Sequence, residues 1–224
     1  MTEFTLHAAP GTCARVPLIA LEEAGADFDV ALVRFMKGEH RAPAYLALNP
    51  KGKVPLLVAD GVPISENVAI ARFLAARFPK AGLLPVTEDP LAEAQVTGDL
   101  AFCAATLHPL VTRIRMPGFM VDGDEAAASV RARAIEAMRP MADVVSARLN
   151  GQDWWYDSGW SILDAYVYWV WFRITGAGFP AEDYPTWAAH AARMETRPAV
   201  ARALAREADM TAQLEREGLA FRPA

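Results

Sequence analysis

Three short segments hold the residue types that could do chemistry. Pro10–Gly11–Thr12–Cys13 lies between a predicted strand and a predicted helix. A helix start exposes unpaired amide N–H groups and a partial positive charge, so a thiolate held there is stabilised. The same residues also fit a plain helix start, with Thr12 as N-cap and Cys13 as a small buried apolar group. Asn49–Pro50–Lys51–Gly52–Lys53–Val54–Pro55 sets a proline directly before a strand. Val54–Pro55 reads either as a cis peptide or as an ordinary loop proline. A cis turn would leave the main-chain N–H and C=O of Val54 open to an extended peptide ligand, as in strand addition. Ser65–Glu66–Asn67 lies where another strand feeds a helix. Its backbone amides suit a carboxylate and Glu66 suits an ammonium group. Capping by Ser65, with Glu66 favourable to the helix dipole, accounts for the same residues.

The elements that must position these segments follow from periodicity. Glu3–Ala8 alternates and predicts a strand, and Cys13–Ala24 predicts a helix ended by Gly25. Phe28–Val33 predicts a second strand, and 37–49 a mixed loop and helix. Pro55–Ala59 and Val62–Ile64 flank Asp60–Gly61, a hairpin signature. A helix from Ser65 or Glu66 runs to about Phe78, where Pro79 stops it. The order β-α-β-(α)-β-β-α predicts a small mixed sheet with helices on its faces. Leu83–Pro90 has two prolines and no helical period and predicts a linker. Beyond it, amphipathic helices are expected at about 91–115, 125–149, 162–176, 184–195 and 198–213. The expected organisation is therefore a first domain over 1–82, a linker over 83–90 and an all-helical domain over 91–224. All six tryptophans fall in that last part and are expected mainly as core filling.

Composition narrows the classes. A net charge of −5 speaks against a nucleic-acid partner, which needs clustered Lys and Arg. Cys13 and Cys103 are ninety positions apart, and no CxxC or metal-like histidine spacing occurs, so neither a disulfide framework nor a metal is expected. Cys103 is expected buried and inert. The start of the chain lacks a signal-peptide pattern, and the most apolar run, Ala165–Phe172, is shorter than the roughly 20 residues that span a bilayer. A cytoplasmic setting without membrane attachment is the expectation.

Taken together, the three segments offer a thiol site, a peptide-backbone site and an amino-acid head-group site, at the junctions of one α/β unit where ligands bind. Glutathione has those three parts. On PGTCARVPLIALEEAGADFDV, on NPKGKVP followed by LLVADGVPISENVAIARFLA, and on WSILDAYVYWV, the chain resembles the cytosolic glutathione transferases, most closely the bacterial beta class. The resemblance implies a thioredoxin-like N-terminal domain, an all-α C-terminal domain that shapes the second-substrate pocket, and a homodimer. It implies that Cys13 lies beside the thiol of glutathione and that Val54 pairs with the cysteinyl unit, ahead of a cis Pro55. Glu66 and Asn67 would hold the γ-glutamyl end, Lys37 would fall near the glycine end, and Lys53 would join the glutathione-binding set. His108 would border the active site. Ser161–Ile162–Leu163–Asp164 matches a capping box, with Asp164 structural. Ala14, Asn67 and Ala101 depart from the pattern, where serine, serine or glycine, and asparagine are usual. No tyrosine stands in the first strand region.

The chemistry so implied is formation of the glutathione thiolate, with Thr12 or Cys13 hydrogen-bonding to it, and attack on a small hydrophobic electrophile or a disulfide. A free thiol with a pKa of about 8.5 is only slightly ionised near neutrality, and lowering that by about two units needs about 2.7 kcal/mol. Conjugation and thiol transfer both stay open. So do two rivals: a glutathione-dependent lyase or isomerase of a catabolic pathway, and a non-catalytic binding or regulatory module of the same fold. Met116, Phe119 and Met120 are candidates for the pocket wall.

Overall fold

The computed structural model describes residues 3–220, and they form two compact units. Within the described residues, the first joins 3–83 to 197–220, and the second comprises 84–196.

The first unit is built on four strands, β1 (Phe4–Ala8), β2 (Phe28–Leu32), β3 (Leu56–Ala59) and β4 (Val62–Ser65). Their order is β2-β1-β3-β4; β1 runs parallel to β2 and antiparallel to β3, and β3 runs antiparallel to β4. The hairpin between β3 and β4 turns at Asp60 and Gly61, both with positive φ, as a two-residue turn matched to strand twist requires. β3 starts at Leu56, one residue later than the alternation predicts, because Pro55 has no N–H to give a ladder. Phe4, Leu6, Leu56 and Leu57 are buried in this sheet. Helices α1 (Arg15–Glu23), α2 (Pro43–Leu48) and α3 (Asn67–Arg77) belong to the same unit, and α1 packs on α3.

The last helix, α9 (Pro198–Arg216), also belongs here, although the sequence pattern groups it with the helices before it. It packs on α1 through long-range ion pairs. Arg15 and Glu207 are both buried and joined by two hydrogen bonds of 3.1 and 2.6 Å. Buried Glu22 accepts from Arg202 and Arg206 at 2.7 and 2.6 Å, and Glu23 accepts from Arg197 in a two-bond fork. Such forks are stronger and more directional than single contacts.

The second unit contains α4 (Pro90–Ala101), α5 (His108–Arg115), α6 (Asp124–Leu149), α7 (Ile162–Thr175) and α8 (Pro185–Glu195). The single helix expected at 91–115 is interrupted: Phe102–Leu107 forms a wide π turn. Pro109 follows it and cannot donate a backbone hydrogen bond, so the ladder shifts register ahead of the proline. Trp155, Trp169, Trp171 and Trp187 are buried, with Trp171 and Trp187 rings 5.2 Å apart. Among the described residues, no helix is long and apolar enough to cross a membrane.

Candidate functional site

The heads of α1 and α3 and the turn before β3 converge on Cys13. The Cys13 side chain is 9% exposed, and its Sγ donates to the carbonyl of Val54 at 3.6 Å. The Val54–Pro55 peptide is cis. Asn67, the first residue of α3, is 7% exposed and its Nδ2 donates to the carbonyl of Cys13 at 3.2 Å. Its Oδ1 is buried with no hydrogen-bond partner. The thiol, the Val54 main chain and the head of α3 thus form one contiguous group within the first unit.

Thr12 does not cap α1 as expected. Ala14 occupies the N-cap position, with helical backbone angles and no side-chain cap. The Thr12 hydroxyl donates to the Ala9 carbonyl at 2.7 Å and accepts from the Ala14 N–H at 3.4 Å. A hydroxyl has one proton to give, and here the turn takes it. Ser65 is not a cap either: it ends β4, and Glu66 takes the N-cap position with φ 75°, a left-handed conformation uncommon for a residue with a side chain. Backbone held in this way costs energy and clusters at ligand-binding positions.

The turn before Val54 is held from three sides. Tyr45 Oη and Asn49 Nδ2 each donate to the Lys53 carbonyl at 2.7 Å, and Asn49 Oδ1 accepts from the Lys51 N–H. Gly52 has φ 61°, and a Cβ there would lie 2.9 Å from the His40 carbonyl, so only glycine fits. Val54 itself packs against Val33, Tyr45 and Leu56. Burial raises the Tyr45 phenol above its ordinary range. Tyr45 and Asn49 are positioning residues that the sequence motif does not single out by function; the asparagine–proline turn ahead of a glycine was the available signal.

The charged residues expected at the two ends of the site are engaged within the chain. Glu66 Oε1 lies 2.5 Å from Lys51 Nζ. Lys37 Nζ lies 3.8 Å from the carboxylate of Glu217, just past the end of α9. Glu217 is held mainly by Arg34, which donates from Nε and Nη2 at 2.6 and 2.8 Å. That fork, helped by Gln213, holds the Glu217 carboxyl down at about 2. Neither Lys51 nor Glu217 was singled out in sequence.

His108 opens α5 in the second unit, after the π turn. Its Nδ1 lies 3.0 Å from the buried Tyr166 hydroxyl, and the Trp169 ring meets it edge-on at 4.6 Å. Phe119 and Met120 lie in a short turn after α5 and are largely exposed. Cys103 is fully buried; desolvation, with Asp99 and Asp164 nearby, pushes its thiol far above the usual range. Asp164 is structural. Its carboxylate accepts from the Ser161 N–H and hydroxyl, from the Trp155 N–H and from His190 Nε2, all within 3.0 Å. Among the described residues, no group of three or more His, Cys, Asp or Glu side chains is placed to hold a metal ion.

A mixed four-stranded sheet, a cis proline before its third strand and a cysteine at the head of its first helix define a thioredoxin-like unit followed by helices. The family model for the glutathione S-transferase N-terminal domain matches residues 11–77. Glutathione S-transferase GstA of Escherichia coli O157:H7 is 32% identical over 201 residues, covering 88% of this chain and 96% of that protein. A maleylacetoacetate isomerase of Pseudomonas aeruginosa is 42% identical over 95 residues, which are 41% of this chain and 44% of that protein. Among solved structures, a glutathione transferase homologue from Sulfitobacter, with bound glutathione, superposes with a TM-score of 0.81 at 30% identity, covering 94% of this chain and all of that one. A beta-class glutathione S-transferase from Sphingomonas chungbukensis gives a TM-score of 0.79 at 29% identity, covering 91% and 98%. The chain belongs to the glutathione S-transferase family and is beta-like within it.

Proposed function

We propose that the chain binds glutathione at the Cys13–Val54–Asn67 group, stabilises its thiolate and transfers it to a small electrophile or to a disulfide. The observation that carries this is the cysteine thiol held against the main chain of Val54 at the cis proline. An extended peptide laid along Val54 would bring its own cysteinyl sulfur to Cys13. A thiol there favours thiol–disulfide exchange over rapid conjugation, because a thiolate attacks a disulfide sulfur and leaves another thiolate. Thr12 plays a lesser part, since its proton is committed to Ala9. Glu66 and Asn67 serve the γ-glutamyl end, Lys37 the glycine end, Lys53 the rim of the turn, and His108 the second substrate. A cytosolic homodimer acting on hydrophobic electrophiles completes the reading.

The identity to a maleylacetoacetate isomerase supports a second reading, in which the same glutathione site serves a dedicated isomerisation. Titration calorimetry of wild type and Cys13→Ala with reduced glutathione tests the shared premise. Micromolar-to-millimolar binding, altered in the variant, is expected. No binding by wild type at millimolar glutathione rejects both readings. Turnover of maleylacetoacetate with little activity on generic electrophiles selects the isomerase.

A further inference from the structure

Glu66 and Lys37, the two charged residues that the glutathione reading assigns to the ligand's ends, are each paired with an opposite charge of the chain itself. Lys51, an ammonium, sits 2.5 Å from Glu66. Glu217, a carboxylate, sits 3.8 Å from Lys37. Both sites are solvent-exposed: the side chains of Lys51 and Glu66 are 47% and 67% exposed, and that of Lys37 is 54%. Arg34 anchors Glu217 in a fork and is itself tied to Glu39 through its N–H at 2.8 Å. Glu217 therefore stays in place and stays ionised, while Lys37 touches it only loosely. The two pairs are tied to the site by covalent sequence and packing. Arg34 follows Val33, which packs with Val54; Lys51 lies three residues before Val54; and Glu66 precedes Asn67.

Resting on the glutathione reading, we propose that Lys51 and Glu217 are built-in mimics of the ligand's charged ends and that they set its affinity. Lys51 stands in for the γ-glutamyl ammonium at Glu66. Glu217 stands in for the glycyl carboxylate at Lys37. A γ-glutamyl peptide must displace or share each counter-ion, so its charged ends gain less than they would at a bare Glu66 and a bare Lys37. Lys51 and Glu217 are specificity-determining residues that act through Glu66 and Lys37, and each acts on one end only.

Calorimetry with three probes separates the ends: glutathione, its glycyl monoethyl ester, and the des-amino analogue glutaryl-cysteinylglycine. Exposed ion pairs of this kind are weak, so Glu217→Gln is expected to tighten glutathione about two- to fivefold while leaving the ester unchanged. Lys51→Met is expected to tighten glutathione by a similar factor while leaving the des-amino analogue unchanged. Raising salt should shrink both gains. Unchanged or weaker glutathione binding in both variants, or equal tightening of all three probes, overturns the proposal even though wild type binds glutathione. Absence of glutathione binding by wild type removes the underlying reading instead, and the proposal with it.

Discussion

Cys13 and Asn67 are bound to each other through backbone and side chain, and they should respond to substitution differently. Cys13→Ser keeps a donor for Val54 but removes the sulfur nucleophile. Its exchange rate with a small glutathionylated disulfide should fall by about 100-fold or more, measured by following the released thiol. Retained exchange in that variant would place the working thiol elsewhere. Asn67→Ala removes one of two donors to the buried Cys13 carbonyl, which keeps the Val16 N–H at 3.2 Å, so a loss of about 1 kcal/mol is expected in urea unfolding. Cys103 offers a pH test. Its thiol is held far above the usual range by burial, so the folded state keeps the proton more tightly than the unfolded chain does. The resulting stability is complete below the unfolded value of about 8.5 and declines as pH rises past it. A disulfide reagent at pH 8 should therefore find one reactive thiol in the folded protein and two in urea. Cys13 and Val54 were readable because Gly and Pro mark their junctions, and Asn67 because a strand gives way to a helix there. Sequence misassigned Thr12 and Ser65 as caps, because capping depends on backbone angles one or two residues away that side-chain type does not report.

The start of α7 holds a densely bonded buried carboxylate. Asp164 satisfies Ser161, Trp155 and His190 at once, and all four residues are buried. Asp164→Ala orphans them together, so a loss of about 3–5 kcal/mol and a sharply lowered thermal midpoint are expected. A variant that melts as wild type would show that the network is redundant. The serine and the acid three residues later announced this cap in sequence. The part played by His190 was hidden, since it comes from another helix 26 positions on. The hairpin was legible in its Asp–Gly dipeptide for the same local reason. The π turn was not: helical periodicity continues through 102–107, and only the missing N–H of Pro109 hints at the shift.

At the scale of the whole molecule, α9 is where sequence reading stopped short. Its amphipathic pattern said that it packs, but not on what, and Arg15 meets Glu207 across 192 positions. Glu207→Ala removes the two carboxylate hydrogen bonds from the buried, charged Arg15. A loss of about 3–5 kcal/mol is expected, read by urea unfolding, whereas removal of an exposed pair such as Arg139–Asp183 should leave the unfolding midpoint almost unchanged. Equal effects from the two would mean that the buried pair is not what joins α9 to α1. Because α9 is the closing piece of the first unit, residues 3–83 and 197–220 share one body, with residues 84–196 between them in sequence. This sets a schedule on the ribosome. The thioredoxin-like segment is made first but cannot be completed until the final helix has left the exit tunnel, roughly ten to thirty seconds later at about 5–20 residues per second. Meanwhile the intervening helices are free to fold, so the unit that is started before them is finished after them.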